Sequence, residues 1–134
     1  MVAFLLGAVA GLRTMTAPAV LLLVRRPSRT AGVLAVMALA EYAGDLYPEA
    51  PARTAPGPLL ARVASGAFCG WFVNRSGAPS RAVAGAGLGA LGAVAGAYAG
   101  LSLRRRAMAR IGPVPAAIAE DVVALAGAVL IARR

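Results

Sequence analysis

The residues best able to do chemistry in this chain are charged and hydroxylated side chains set inside apolar runs. Arg13 lies near the middle of the run 2–24, with Thr14, Thr16 and Pro18 directly after it. Glu41 falls within the run 30–47, and Asp45 follows four residues later on the same helix face. Glu120 and Asp121 stand near the middle of the run 113–132, in AAIAEDVVALAG. Adjacent helical residues point about 100° apart, so at most one of these two occupies a given narrow seam. Arg53 belongs to the Pro-rich linker 48–58.

Two kinds of chemistry suit such a set. An unpaired charge at the centre of a bilayer costs about 2.5–3.5 kcal/mol on the more lenient scales, so each group must face a partner or water. In one reading the acids pair with Arg13 and Arg53 and fix helix register, Arg13 acting as a buried strut. In the other they form a protonatable or cation-binding site made of Arg13, Thr14, Glu41, Asp45, Arg53, Glu120 and Asp121. A shorter first helix would instead leave Arg13 exposed. The TMTAP stretch at 14–18 can loosen a helix and free backbone carbonyls. Catalytic constellations are poor. The chain has no His, which removes an imidazole base, an HExxH zinc site and a Ser–His–Asp triad. GAGLG at 85–89 reads as helix packing rather than a phosphate loop. No catalytic residue, metal site or cofactor is therefore expected, and an enzyme acting on lipid headgroups is the third alternative.

Composition says what must position these groups. Of the residues, 60% are hydrophobic and 14% charged, with mean hydropathy +0.75. A soluble domain carries about 25% charged residues, so this chain cannot cover a water-facing surface and the bilayer must be its main solvent. The net charge is +9, every basic residue is Arg, and the arginines stand at the ends of apolar runs. That placement suits anionic headgroups rather than nucleic acid. With Ala and Gly abundant and Lys absent, the composition points to a bacterium and to its inner (plasma) membrane. Cys69 is the sole cysteine, so no intrachain disulfide forms. The N-terminal MVAFLLGAVAGLR lacks a basic signal-peptide start and reads as a retained first helix.

The expected fold is all-α and integral to the membrane, one domain over 1–134. It has four to five transmembrane helices near 2–24, 30–47, 58–73, 80–103 and 113–132, the third either spanning or lying in the interface. Small residues four apart mark packing faces: Gly7 and Gly11, Gly66 and Gly70, Gly85 and Gly89, and the ladder Gly92, Gly96 and Gly100. LGAVAG occurs at 6–11 and again at 91–96. Each copy precedes an arginine stop and a helix with Ala-Glu, which suggests an inverted two-helix repeat as in many transporters. Arg53, Arg62, Arg104, Arg105, Arg106 and Arg110 fall on one side, and Arg25, Arg26, Arg29, Arg75, Arg81, Arg133 and Arg134 on the other. This balance leaves orientation open, dual topology with an antiparallel dimer included. A homodimer or larger oligomer is expected.

The stretch 40–70, AEYAGDLYPEAPARTAPGPLLARVASGAFCG, carries the pattern E-x-x-x-D-x-x-P-x-x-P-x-R-T-x-P-x-P-L-x-x-R-x-x-S-G. With GLRTMTAP at 11–18 and AEDVVAL at 119–125, it resembles a family of small bacterial membrane proteins, domain of unknown function 4126. The resemblance covers most of the chain and marks Arg13, Glu41, Asp45, Pro48, Arg53, Thr54, Arg62, Gly66, Glu120 and Asp121. Leu46 stands where that pattern leads one to expect Lys. The family brings no activity to transfer. The function expected is translocation of an ion or small solute, coupling to protons being one form of it, at a mid-membrane polar site. The alternative is a non-transporting accessory or assembly protein whose buried ion pairs are structural.

Overall fold

The computed structural model describes residues 1–44 and 55–134, and within them every regular element is a helix. In chain order these are α1 (Val2–Leu12), α2 (Thr16–Arg25), α3 (Arg29–Gly44), α4 (Pro56–Asn74), α5 (Pro79–Ile111) and α6 (Pro113–Ala132). α5 and α6 are long and apolar enough to cross a membrane. At 1.5 Å per residue α5 is about 50 Å long and α6 about 30 Å.

The run 2–24, expected as one helix, is two. Pro18 has no N–H, and its ring would crowd the carbonyl of Thr14, but proline is accepted in a first turn. α1 therefore stops at Leu12, Arg13 is extended (φ −140°, ψ 114°), and α2 starts afresh at Thr16. The freed Thr14 carbonyl accepts a hydrogen bond from Ser65 Oγ on α4 at 2.5 Å. Beyond the break the chain doubles back. Arg25, at the end of α2, donates from Nε to the carbonyl of Ala132 at 2.9 Å. Arg25 also lines a cavity together with Val2 and Arg134. The start of α1 and the end of α2 thus lie at one end of the bundle, here the Met1 end, and α1–α2 is a hairpin with Arg13–Met15 at its tip.

Glycine contacts set the directions of the other helices. A Cβ added at Gly7 would stand 2.0 Å from the Gly89 carbonyl oxygen, and one at Gly11 2.2 Å from that of Ala93. α1 and α5 therefore run parallel. Gly66 meets Gly89, and Gly70 meets Gly85, so α4 runs antiparallel to α5. α4 stands alongside α5 along its length. Gly112 (φ 86°) permits the tight reversal into α6, a conformation that L side chains rarely adopt. The LGAVAG copies lie in α1 and α5, which run in the same direction. The inverted arrangement expected from them is corrected, because the break at Pro18 returns the first segment to its starting end.

The core is built from small residues. Ala116, Ala117, Ala124, Ala128 and Ala132 of α6 are buried, while Val114, Ile118, Val122, Val123, Leu125 and Leu130 of the same helix are exposed. α5 buries Gly85, Gly89, Gly92, Ala93, Gly96, Ala97 and Gly100 in the same way. Larger buried side chains come mainly from the hairpin, with Leu6, Arg13, Thr16 and Leu21 fully enclosed.

Candidate polar site at the broken helix

The hairpin tip reaches about halfway along the bundle. α1 contributes about 16 Å from the Met1 end, and Pro113 to Asp121 about 13 Å from the Gly112 end. At that level the chain turns from α1 into α2 through Thr14 and Met15. Glu41 of α3 meets the N–H groups of these two residues. Its Oε1 accepts from Thr14 N at 2.8 Å and its Oε2 from Met15 N at 2.9 Å. A carboxylate here also meets the positive end of the α2 dipole. Arg62 Nη2 of α4 lies 4.0 Å from Glu41 Oε1. One carboxylate therefore ties α3 and α4 to the hairpin tip.

Arg13 is 1% exposed and forms an ion pair and hydrogen bond with Asp121 of α6. Its guanidinium also lies over the Tyr42 ring, 5.0 Å from the centroid. The Tyr42 hydroxyl and Thr16 Oγ1 are 2.7 Å apart, within hydrogen-bonding distance. A turn nearer the Gly112 end, Arg104 Nη1 of α5 is 3.5 Å from Glu120 Oε2 of α6. The adjacent acids of α6 thus serve two different neighbours.

Of the residues singled out by sequence, the structure brings Arg13, Thr14, Glu41 and Asp121 into one cluster. Glu120 is turned toward Arg104 and sits beside it. Asp45 and Arg53 lie outside the described residues. The sequence had the acids pairing with Arg13 and Arg53; among the described residues Arg13 pairs with Asp121 and Glu41 with Arg62. Arg62, Ser65, Thr16, Tyr42 and Arg104 were not in the expected site. Arg62 and Ser65 had a usable signal, being polar residues inside an apolar segment, as Arg13 is. Tyr42, on α3, faces inward toward Thr16 and Arg13.

Among the described residues the cluster sets the cations Arg13 and Arg62 against the anions Glu41 and Asp121. Among the described residues no three carboxylate or thiol side chains come together, so they form no metal-ligand set. Two spaces adjoin the cluster. An open groove of about 340 Å³ is lined by Thr14, Met15, Met37, Ala40, Glu41 and Ala61. A second, of about 190 Å³, is bordered by Leu12, Gly100, Arg104 and Glu120. The glycines expected at helix contacts are placed as follows, Gly85 and Gly89 being the α5 residues that Gly70 and Gly66 approach. Gly7, Gly11, Gly92 and Gly96 bring α1 and α5 together, and Gly66 and Gly70 meet α5. Gly100 adjoins the Leu12 side chain.

Compared with known proteins, the chain matches no protein-family model, no curated protein and no solved structure.

Proposed function

We propose that the chain is a small multi-pass protein of a bacterial plasma membrane that moves an ion or small solute past the polar cluster at its broken helix. Large apolar side chains outside and alanine and glycine inside are the arrangement that lipid favours, since close backbone approach replaces the hydrophobic effect there. On this reading α3, α4, α5 and α6 cross the bilayer and α1–α2 enters from the Met1 end and returns to it. Four crossings fall within the four to five expected. Arg62 is drawn into the cluster and Arg104 is paired with Glu120. The Met1 end keeps Arg25, Arg26, Arg29, Arg75, Arg81, Arg133 and Arg134, all exposed. The positive-inside rule then sets that end in the cytoplasm.

The observation that carries the translocation reading is the break at mid-depth. Discontinuous helices place unbonded backbone groups and half-helix dipoles at the level where transporters bind their substrates. Here the carboxylate at the half-helix start is the chain's own Glu41, beside an open groove. Exchange of that internal carboxylate for solute is the step that would open a path. A specific observation favours the accessory reading instead: Glu41, Glu120 and Asp121 each have an arginine within ion-pair distance.

Purified protein in sealed vesicles separates the two. An entrapped pH dye follows proton flux under an imposed potential, and osmotic swelling follows small neutral solutes. Translocation requires flux above that of protein-free vesicles and its loss in Arg13→Gln. Flux equal to that of empty vesicles in both assays would leave the accessory reading.

A further inference from the structure

At the Met1 end a cavity of about 380 Å³ opens between the hairpin, α4, α5 and the end of α6. Its polar border holds Arg25 and Arg134, with Asn74 beside them. Its apolar wall is made by Val2, Val73 and Leu88. Leu88, next to Gly89, comes from the part of α5 that packs beside the start of α1. Arg25 spends Nε on the Ala132 carbonyl, and that bond fixes the head of the side chain at the cavity. Each acid among the described residues belongs to the mid-depth cluster or to the Glu120 pair. The cavity therefore has cations at its border without a described acid to neutralise them.

One structural role for these arginines is to cap helix ends. The C-termini of α2, α4 and α6 meet here, each with a partial charge of about −0.5. The N-termini of α1, α3 and α5 lie at the same end and offset that sum. Full positive charges on Arg25 and Arg134 thus exceed what the helix ends can balance. A cationic border beside an apolar wall matches an amphiphile with an anionic head and an acyl tail.

We propose that this cavity binds an anionic phospholipid, with Arg25 and Arg134 on its phosphate and an acyl chain along Val2, Val73 and Leu88. The proposal rests on the membrane reading above but is independent of translocation. It is tested by native mass spectrometry of protein released from nanodiscs that contain equal phosphatidylglycerol and phosphatidylcholine. The wild type retains phosphatidylglycerol selectively. The double variant Arg25→Gln, Arg134→Gln lowers that retention about thirtyfold, the equivalent of about 1 kcal/mol per arginine. Arg105→Gln with Arg106→Gln, at the opposite end, leaves retention unchanged and controls for net charge. Equal retention of the two lipids, or an effect of the same size from both double variants, overturns the proposal. Displacement of the lipid by millimolar inorganic phosphate would overturn the lipid as ligand in favour of free phosphate. A chain that does not enter nanodiscs would fail the membrane reading first and this proposal with it. Incorporation with unselective retention would fail this proposal alone.

Discussion

At the scale of single residues, buried charge in this protein is organised by pairs that cross between helices. Arg13 and Asp121 are 108 positions apart in sequence, and nothing local brings them together. Removing one partner of a buried pair typically costs about 3–5 kcal/mol, because the other charge is left without its counterpart. Arg13→Gln and Asp121→Asn should each lower thermal stability in detergent, and the double variant should lose less than their sum by about 1–3 kcal/mol. Strictly additive losses would contradict the pair. Glu41 offers a second test. In Glu41→Gln only one side-chain oxygen remains, so either Thr14 N or Met15 N loses its acceptor and meets an NH₂ group instead. An unsatisfied buried donor costs about 1–3 kcal/mol, so the variant should lose about that much stability and unfold at a lower temperature, whereas Glu41→Asp should recover less than wild-type stability because its carboxylate is one methylene short. Glu41→Gln with unchanged stability would contradict the capping role. That polar residues in apolar runs matter was legible from Arg13, Glu41 and Asp121 alone. Which acid meets which arginine was not, since Glu120 and Asp121 are adjacent and periodicity cannot say which one turns toward the hairpin.

At the scale of elements, glycine decides where helices touch. Gly89 is the point at which α1, α4 and α5 converge, since Gly7 and Gly66 both approach its carbonyl. A Cβ on Gly89 itself would lie 2.0 Å from the carbonyl oxygen of Gly66, and backbone cannot step aside cheaply. Gly87, two residues away, has nothing within 4 Å of an added Cβ. Gly89→Leu should therefore separate three helices and abolish folded protein in detergent. Gly87→Ala should be neutral or stabilise by up to about 1 kcal/mol through helix propensity. Equal behaviour of the two variants would show that these glycines reflect composition rather than contact. The glycine spacing itself marked the contact faces, because four-residue recurrence places them on one stripe. The length of α1 was harder to see: 2–24 is apolar throughout apart from Arg13, and only Pro18 and the threonines mark the break. Proline in a first turn and proline in a helix interior look alike until the reversal is known.

At the scale of the whole molecule, the break changes the topology. A continuous helix over 2–24 would put Met1 and Arg25 at opposite ends, whereas the hairpin puts them at one end and inverts the relation between α1 and α5. It also carries unbonded N–H groups and Arg13 to mid-depth, where the acids of α3 and α6 receive them. The arginine count by end was readable from sequence, but that Arg62 turns inward and Arg104 pairs with Glu120 was not. Cysteine labelling tests this central claim most directly. In a Cys69→Ala background, Val2→Cys, Ser28→Cys and Ala109→Cys are reacted with a membrane-impermeant maleimide in sealed, oriented vesicles. The hairpin predicts that Val2→Cys and Ser28→Cys label from the same face and Ala109→Cys from the other. Labelling of Val2→Cys and Ser28→Cys from opposite faces would mean that the first segment crosses the membrane unbroken, and would contradict the account.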